Sequence, residues 1–415
     1  MQTAQPDSRA SWGRLAICLA LSTIGGVAMW SVVVVLPAMQ ADFGVSRGQA
    51  SLSYTAVMLG FALGSVLMGW LSDRFGMLRP AFGASAVLAA GYVLAGLSGA
   101  LWQVALIHFV LIGLLGGAVT FGPLMAHVSL WFQRRRGIAV ALCATGSYLA
   151  GTVWPPVLQH FVVAAGWRAT YVGVSLFCAA TMLPLALLLR GRPPAGEGVL
   201  ARTDRSAASM GLSPGVLQAM LVVAGLACCV AMATPQVHIV AYCADLGYGA
   251  ARGAEMLAVM LGFGIVSRVG SGWLADRIGG VRTVLLGSVL QALTLLLYVQ
   301  FTGLASLFVI SALFGLVQGG IIPGYAVVVR ECYPAREAGA RIGLVLMATM
   351  VGMALGGWLA GAIDDWAGSY RASFANGVLW NALNAAIVLT LLLRQRGRGG
   401  EFSPVEGFPG GALRR

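Results

Sequence analysis

The chain contains no lysine; all 26 of its basic residues are arginines. Charge of either sign is scarce, at 10% of 415 residues, where a soluble protein carries about 25%. Acidic side chains are missing from the middle of every long apolar run. Asp42, Asp245, Glu255, Asp364 and Asp365 all stand at or beyond the run ends. That argues against a buried carboxylate of the kind that proton-coupled exporters of cationic compounds use. No Gly-x-x-x-x-Gly-Lys loop occurs, so energy is expected from gradients rather than nucleotide hydrolysis. Ser-His-Asp and metal-ligand spacings are missing too, so neither an enzyme nor a cofactor or metal is expected. The seven cysteines (18, 143, 178, 228, 229, 243 and 332) fall mostly inside apolar runs, which disfavours a disulfide framework. The first apolar run is too long for a signal peptide and no small-residue cleavage site follows it.

What is present is hydrophobic: 59% of the residues. Runs of about 20 apolar residues span a bilayer as helices, because lipid offers the backbone no partners. Twelve are expected, at 14–37, 49–71, 81–99, 102–130, 137–163, 168–190, 214–242, 251–274, 282–301, 304–330, 338–363 and 372–393. The fold class is therefore an all-α polytopic membrane protein in two six-helix bundles. The first bundle covers 1–190 and the second 214–393. A Gly-, Pro- and Arg-rich stretch at 191–213 reads as the linker between them, and 394–415 as a polar tail. Glycines four apart, at Gly60 and Gly64, Gly352 and Gly356, and Gly357 and Gly361, permit close helix contact. Pro123, Pro155, Pro156, Pro184, Pro235 and Pro323 each remove a helical hydrogen bond and favour a kink.

The two halves repeat one another. Gly69-Trp-Leu-Ser-Asp73-Arg74-Phe-Gly76 returns as Gly272-Trp-Leu-Ala-Asp276-Arg277-Ile-Gly279, and such self-similarity marks a duplicated membrane domain. Its glycines are expected to let helix ends approach, and Asp73 and Asp276 to need partners near the hydrocarbon. Trp167-Arg168 has a looser counterpart at Tyr370-Arg371. Arginine placement sets the orientation. With the N-terminus inside, only Arg47, Arg168, Arg252 and Arg371 lie on outer loops and only Arg268 inside a segment. Both termini are expected to be cytoplasmic, in the plasma membrane. The net charge of +12 thus reflects membrane orientation and predicts no nucleic-acid partner.

The repeated motif resembles the loop between the second and third helices of major facilitator superfamily transporters. Trp131-Phe-Gln-Arg134-Arg135-Arg136-Gly-Ile-Ala-Val-Ala resembles the loop and fifth-helix signature of the monocarboxylate transporter family. Ser11-Trp12-Gly13-Arg14 and Gly166-Trp167-Arg168 fit that family as well, and bacterial oxalate/formate antiporters look similar. The resemblance implies two bundles around a central site, opened alternately to each side. It also implies that a segment 8 arginine, here Arg268, binds the substrate carboxylate. Two departures stand out. Many members carry an aspartate where this chain has Gly264 and a lysine near what is Val32. Oxalate/formate antiporters use a second basic residue on segment 11, where this chain has only Arg341 at the mouth.

Arg268 is also distinctive without the resemblance. It lies eight residues before Asp276, about 12 Å into its segment. A guanidinium there costs at least ~2.5–3.5 kcal/mol to insert and marks a functional site by default. It can hold a carboxylate bidentately. The bland alternative is an arginine neutralised by helix carbonyls or snorkelling inward. Trp30, Tyr54, Thr120, Tyr148, Trp154, Gln236, Gln318, Asn376 and Asn381 are candidate cavity residues suited to an organic acid's body. Asp73, Arg74, Asp276, Arg277, Arg134 and Arg135 are candidate cytoplasmic gating residues, although the cluster Arg134–Arg136 reads first as a lipid-phosphate anchor and only secondarily as a gate. His108 and His127 are proton-coupling candidates, with helix–helix hydrogen bonding as the plainer role. The chain thus reads as a monomeric secondary transporter of a small organic monoanion, with protons as a possible co-substrate. A transporter of neutral or hydrophobic compounds, with Arg268 structural, is the alternative.

Overall fold

A computed structural model describes residues 7–132, 135–191, 212–333 and 335–396. Most of the expected linker and tail, and Arg134, lie outside the described residues. Described residues are helical, with no strand among them. Eleven helical stretches are long and apolar enough to cross a membrane. One of them, 136–187, is broken at Gly166, whose φ of 80° and ψ of 163° are not helical. Counting that break as a turn gives twelve crossings, in the order the sequence predicts. They are α1 (Arg9–Phe43), α2 (Arg47–Phe75), α3 (Leu78–Gly96), α4 (Leu101–Ser129), α5 (136–165) and α6 (167–187). The second set is α7 (Pro214–Asp245), α8 (Ala250–Ile278), α9 (Gly280–Gln300), α10 (Leu304–Cys332), α11 (Ala335–Ala367) and α12 (Tyr370–Arg396).

Helix ends follow local chemistry. Ser46 caps α2 in a reciprocal box with Gln49, satisfying two orphan donors. Glycines at 76 and 279 take φ of 75° and 86°, a region closed to most side chains. α4 does not run as one helix. Residues His108–Gly116 widen into a π-helix and Gly117–Thr120 tighten into a 3-10 turn before Phe121 breaks the ladder.

Small residues set the packing. A Cβ at Gly60 or Gly64 of α2 would strike the backbone of Phe109 and Leu114 in α4. On α11 the two glycine pairs face different partners. Gly352 and Gly356 lie against the backbone of Leu226 and Val230 in α7, in the same half. Gly357 and Gly361 face Tyr54, Ser51 and Arg47 of α2, in the other half. The halves meet through α2 with α11, α5 with α8, and α1 with α7.

The motif glycines correct one expectation. Side chains at Gly69, Gly76 and Gly272 would meet nothing within 4 Å. Gly76 and Gly279 are there for their backbone angles; Gly69 and Gly272 border open space. Asp73 is likewise exposed and has no ion pair among the described residues. It sits past the apolar stretch, exposed, where a carboxylate needs no protein partner. The side chain of Asp276 lies outside the described residues.

Candidate functional site

A cavity of about 330 Å³ opens between the halves, walled by α1, α2, α4, α5, α7, α8, α10 and α11. Of the candidates, Trp30, Thr120, Tyr148, Gln236 and Arg268 line it. Arg268 is half-buried, ten residues before the end of α8, or about 15 Å in. Its Nη1 donates to the Ala144 carbonyl of α5 at 2.9 Å, and its Nε to the Gly319 carbonyl of α10 at 3.4 Å. The second bond has a sequence cause. In a helix the Gly319 carbonyl would accept from residue 323, which is proline and has no N–H. The guanidinium takes the vacated acceptor. Its carbon also lies 4.3 Å from the Tyr148 ring centre, a cation–π contact. Nη2 makes no hydrogen bond among the described residues and is not sealed from the cavity. No carboxylate pairs with Arg268 among them.

Gly264 explains one departure from the resembled family. A Cβ there would lie 2.7 Å from the Cδ1 atom of the Tyr148 ring. The position is empty so that Tyr148 can fit beneath Arg268. Gly151 of α5 leaves a similar notch. An added Cβ would meet the Trp30 ring at 2.8 Å and also strike Leu261. Trp30 is fixed there by an Nε1 bond of 3.1 Å to the Ser147 carbonyl.

Other candidates fall elsewhere. Gln318 is fully buried behind the wall, accepting from Gln236 Nε2 at 2.6 Å; it positions Gln236 rather than lining the cavity. Tyr54 is fully buried against Gly357 at the α2–α11 seam. Trp154 donates to the Thr23 carbonyl at 3.0 Å and lines a separate apolar pocket between α1, α5 and α6. Asn376 and Asn381 lie on α12, outside the cavity wall; Asn381 donates to the Ser288 carbonyl at 2.6 Å. These misplacements share one cause. The helices are apolar on every side, so their pattern does not reveal which face is inward. His108 is fully buried inside the first half, with Nδ1 on the Val104 carbonyl and Nε2 on the Tyr171 hydroxyl, at 2.8 and 3.2 Å. His127 packs beside Trp131, ring centres 6.0 Å apart, and Nε2 has no partner among the described residues. Neither histidine lines the cavity.

Among the described residues the gating candidates form no contact between the halves. Each motif places its arginine over the tryptophan one turn earlier, Arg74 on Trp70 at 5.4 Å and Arg277 on Trp273 at 3.8 Å. Arg135 is exposed. Closure lies instead at the other end of the bundle, in a cluster that the sequence does not announce. Asp365 of α11 accepts from the first two backbone N–H groups of α2, Arg47 and Gly48, at 2.8 and 2.6 Å. The Arg47 guanidinium donates to the Tyr370 hydroxyl at 2.8 Å and to Asp245 at 3.2 Å. His238 bonds the same hydroxyl at 3.1 Å and the Gly357 carbonyl at 2.8 Å. These contacts fasten α2 to α7, α11 and α12 at the end opposite the termini. At the terminal end, Ser65, Val66, Gly343 and Met347 border the cavity, and Val66 is 69% exposed. The structure is closed at the far end and open toward the termini.

The Major Facilitator Superfamily profile matches residues 18–301 and, in a second match, 253–414. The chain is similar to monocarboxylate transporter 13 of Bos taurus, with 30% identity over 354 residues, covering 82% of this chain and 79% of that one. It is 25% identical to the agnestins efflux protein AgnL12 of Paecilomyces divaricatus over 298 residues, covering 70% and 67%. Among solved structures, a point mutant of the nucleoside transporter NupG superposes with a TM-score of 0.70 at 11% identity, covering 93% of this chain and all of that one. At that identity the match speaks for the fold alone.

Proposed function

Given that the chain belongs to the major facilitator superfamily, and so is a multi-pass membrane transporter rather than an enzyme, we propose that it carries a small organic monoanion by alternating access, with Arg268 as counter-ion. One observation carries this reading. Among the described residues the central cavity holds a single guanidinium, no carboxylate partner for it, and walls that are otherwise almost wholly apolar. Carbonyl dipoles offset part of the charge. A bound carboxylate offsets the rest and accepts from Nη2, which makes a charge-assisted hydrogen bond. One positive charge balances a monoanion better than a dianion.

The far-end cluster around Arg47 is the closed gate of this state, and transport requires it to part while the terminal end closes. Arginine asymmetry supports cytoplasmic termini in a plasma membrane, making the described state inward-open. Named similarity to a monocarboxylate transporter agrees with the anion assignment. A second reading, export of neutral hydrophobic compounds, is favoured by the apolar wall and by the two carbonyls already on Arg268. One experiment separates the two: counterflow of labelled monocarboxylates in proteoliposomes with Arg268→Lys and Arg268→Ala. Lysine should retain little activity and alanine essentially none, at preserved expression. Normal counterflow by Arg268→Ala would remove the anion site and leave the second reading.

A further inference from the structure

Methionine dominates the wall around Arg268. Met29 of α1, Met125 of α4, Met232 of α7 and Met347, Met350 and Met353 of α11 all face the cavity, six of the 16 methionines in the chain. Thioether side chains are apolar, unbranched and polarizable, and they repack around varied shapes. The cavity is also deep. Arg268 stands eighteen residues from the far end of α8, and Gln236 nine residues from the far end of α7. At 1.5 Å per residue their depths differ by roughly 13 Å. Trp30, Phe61, Leu261 and four of the methionines, Met29, Met232, Met350 and Met353, occupy the wall between. A two- or three-carbon acid held on Arg268 would leave most of this apolar length facing water. An acid with a longer body would cover it and gain the hydrophobic term.

Building on the anion reading above, we propose that the substrate class is monocarboxylates with an extended apolar body, aryl-alkyl or medium-chain, rather than short or hydroxylated acids. The carboxylate sits on Arg268 and the body runs along the methionine wall toward Gln236. The cavity's side-chain hydroxyls, those of Ser22, Ser65, Thr120, Ser147 and Tyr148, stand 17 to 21 residues from the far ends of their helices, level with Arg268 or beyond it rather than along the stretch toward Gln236. Several are committed; Thr120 donates to the Gly117 carbonyl at 2.7 Å, Ser65 to the Phe61 carbonyl at 2.7 Å and Ser147 to the Ala144 carbonyl at 3.2 Å. Among the described residues Ser22 and Tyr148 keep theirs free near Arg268, but none is left along the stretch toward Gln236 to reward a substrate hydroxyl, and burying one unpaired is unfavourable.

The test uses the purified full chain in nanodiscs, with thermal shift for binding and counterflow in proteoliposomes for transport. Probes are acetate, lactate, butyrate, hexanoate, phenylacetate and 3-phenylpropionate, each beside its primary amide. Affinity should rise about fourfold per buried methylene until the cavity is filled, with 3-phenylpropionate far above acetate and lactate. Each acid should exceed its amide, and Arg268→Gln should abolish that difference. Met350→Asn should weaken 3-phenylpropionate at least about tenfold and butyrate by less than about threefold. If acetate or lactate bind as well as 3-phenylpropionate, the extended-body proposal falls while the anion reading stands. If acids and amides bind alike, the anion reading itself fails and takes the proposal with it.

Discussion

Two glycines five residues apart on α11 should behave oppositely when filled. Gly356 faces α7 within its own half, where a Cβ would meet the Val230 Cα at 2.7 Å and the Ala233 Cβ at 2.9 Å. Gly361 faces α2 in the other half, where a Cβ would meet Ser51 Oγ at 2.8 Å and the Arg47 carbonyl at 3.1 Å. Added bulk in a tight contact costs about 1–3 kcal/mol. At Gly356 that cost applies in every conformation that keeps the half intact, so Gly356→Val should lower thermal stability. At Gly361 it applies only while the far end is closed. Gly361→Val should therefore shift the conformational equilibrium toward far-end opening by roughly 5- to 150-fold, with little loss of stability. Spin labels at Leu52 on α2 and Trp366 on α11, both exposed, would report the change by pulsed distance measurement. A longer distance population should grow in Gly361→Val and not in Gly356→Val. Unchanged far-end distances, with Gly361→Val destabilised like Gly356→Val, would refute a separable seam.

Further outcomes are open to measurement. Asp365→Asn keeps one acceptor for the α2 N-terminus but removes the charge; because Asp365 is exposed, the expected loosening is small, about 1 kcal/mol or less, seen in the same label pair as a several-fold change at most. Asp73→Asn and Asp276→Asn should slow exchange more than they weaken ligand binding; a large affinity loss with unchanged exchange rates would contradict that. Uptake should favour exchange over net transport, because the empty carrier must reorient with an unpaired guanidinium. Strong net uptake driven by a pH gradient alone, surviving a His108→Gln, His127→Gln double substitution, would overturn both the exchange preference and a histidine proton route.

The crossings are legible in the sequence because a bilayer demands long apolar runs, and the duplicated Gly-Trp-Leu-x-Asp-Arg motif fixes their pairing. Even Gly166, which lies between two runs, is where the backbone turns. Arg268 stands out as the one charge deep inside a run, away from its ends. The remaining wall is harder to read, since uniformly apolar helices carry no inward-facing stripe. One usable signal does exist: Met347, Met350 and Met353 recur every third residue, which puts them on one helix face. The Arg47 cluster is hidden for another reason. Arg47, Asp245 and Asp365 are ordinary charges at helix ends, Arg47 standing 198 and 318 positions from the other two. Only the folded arrangement brings them together.

Arg268 bridges a carbonyl of α5 in one half and a carbonyl of α10 in the other. If Arg268 is the anion site proposed above, the same donor fork serves both the ligand and the clasp between the halves. Any ligand that draws Nη1 from the Ala144 carbonyl loosens the clasp; one that uses only Nη2 leaves it fastened. Reciprocity then holds: whatever factor ligand binding applies to the conformational equilibrium, that equilibrium applies to ligand affinity. For a ligand that draws on Nη1, recognition and gating are thermodynamically one quantity at this residue; for one that uses only Nη2 they stay separate.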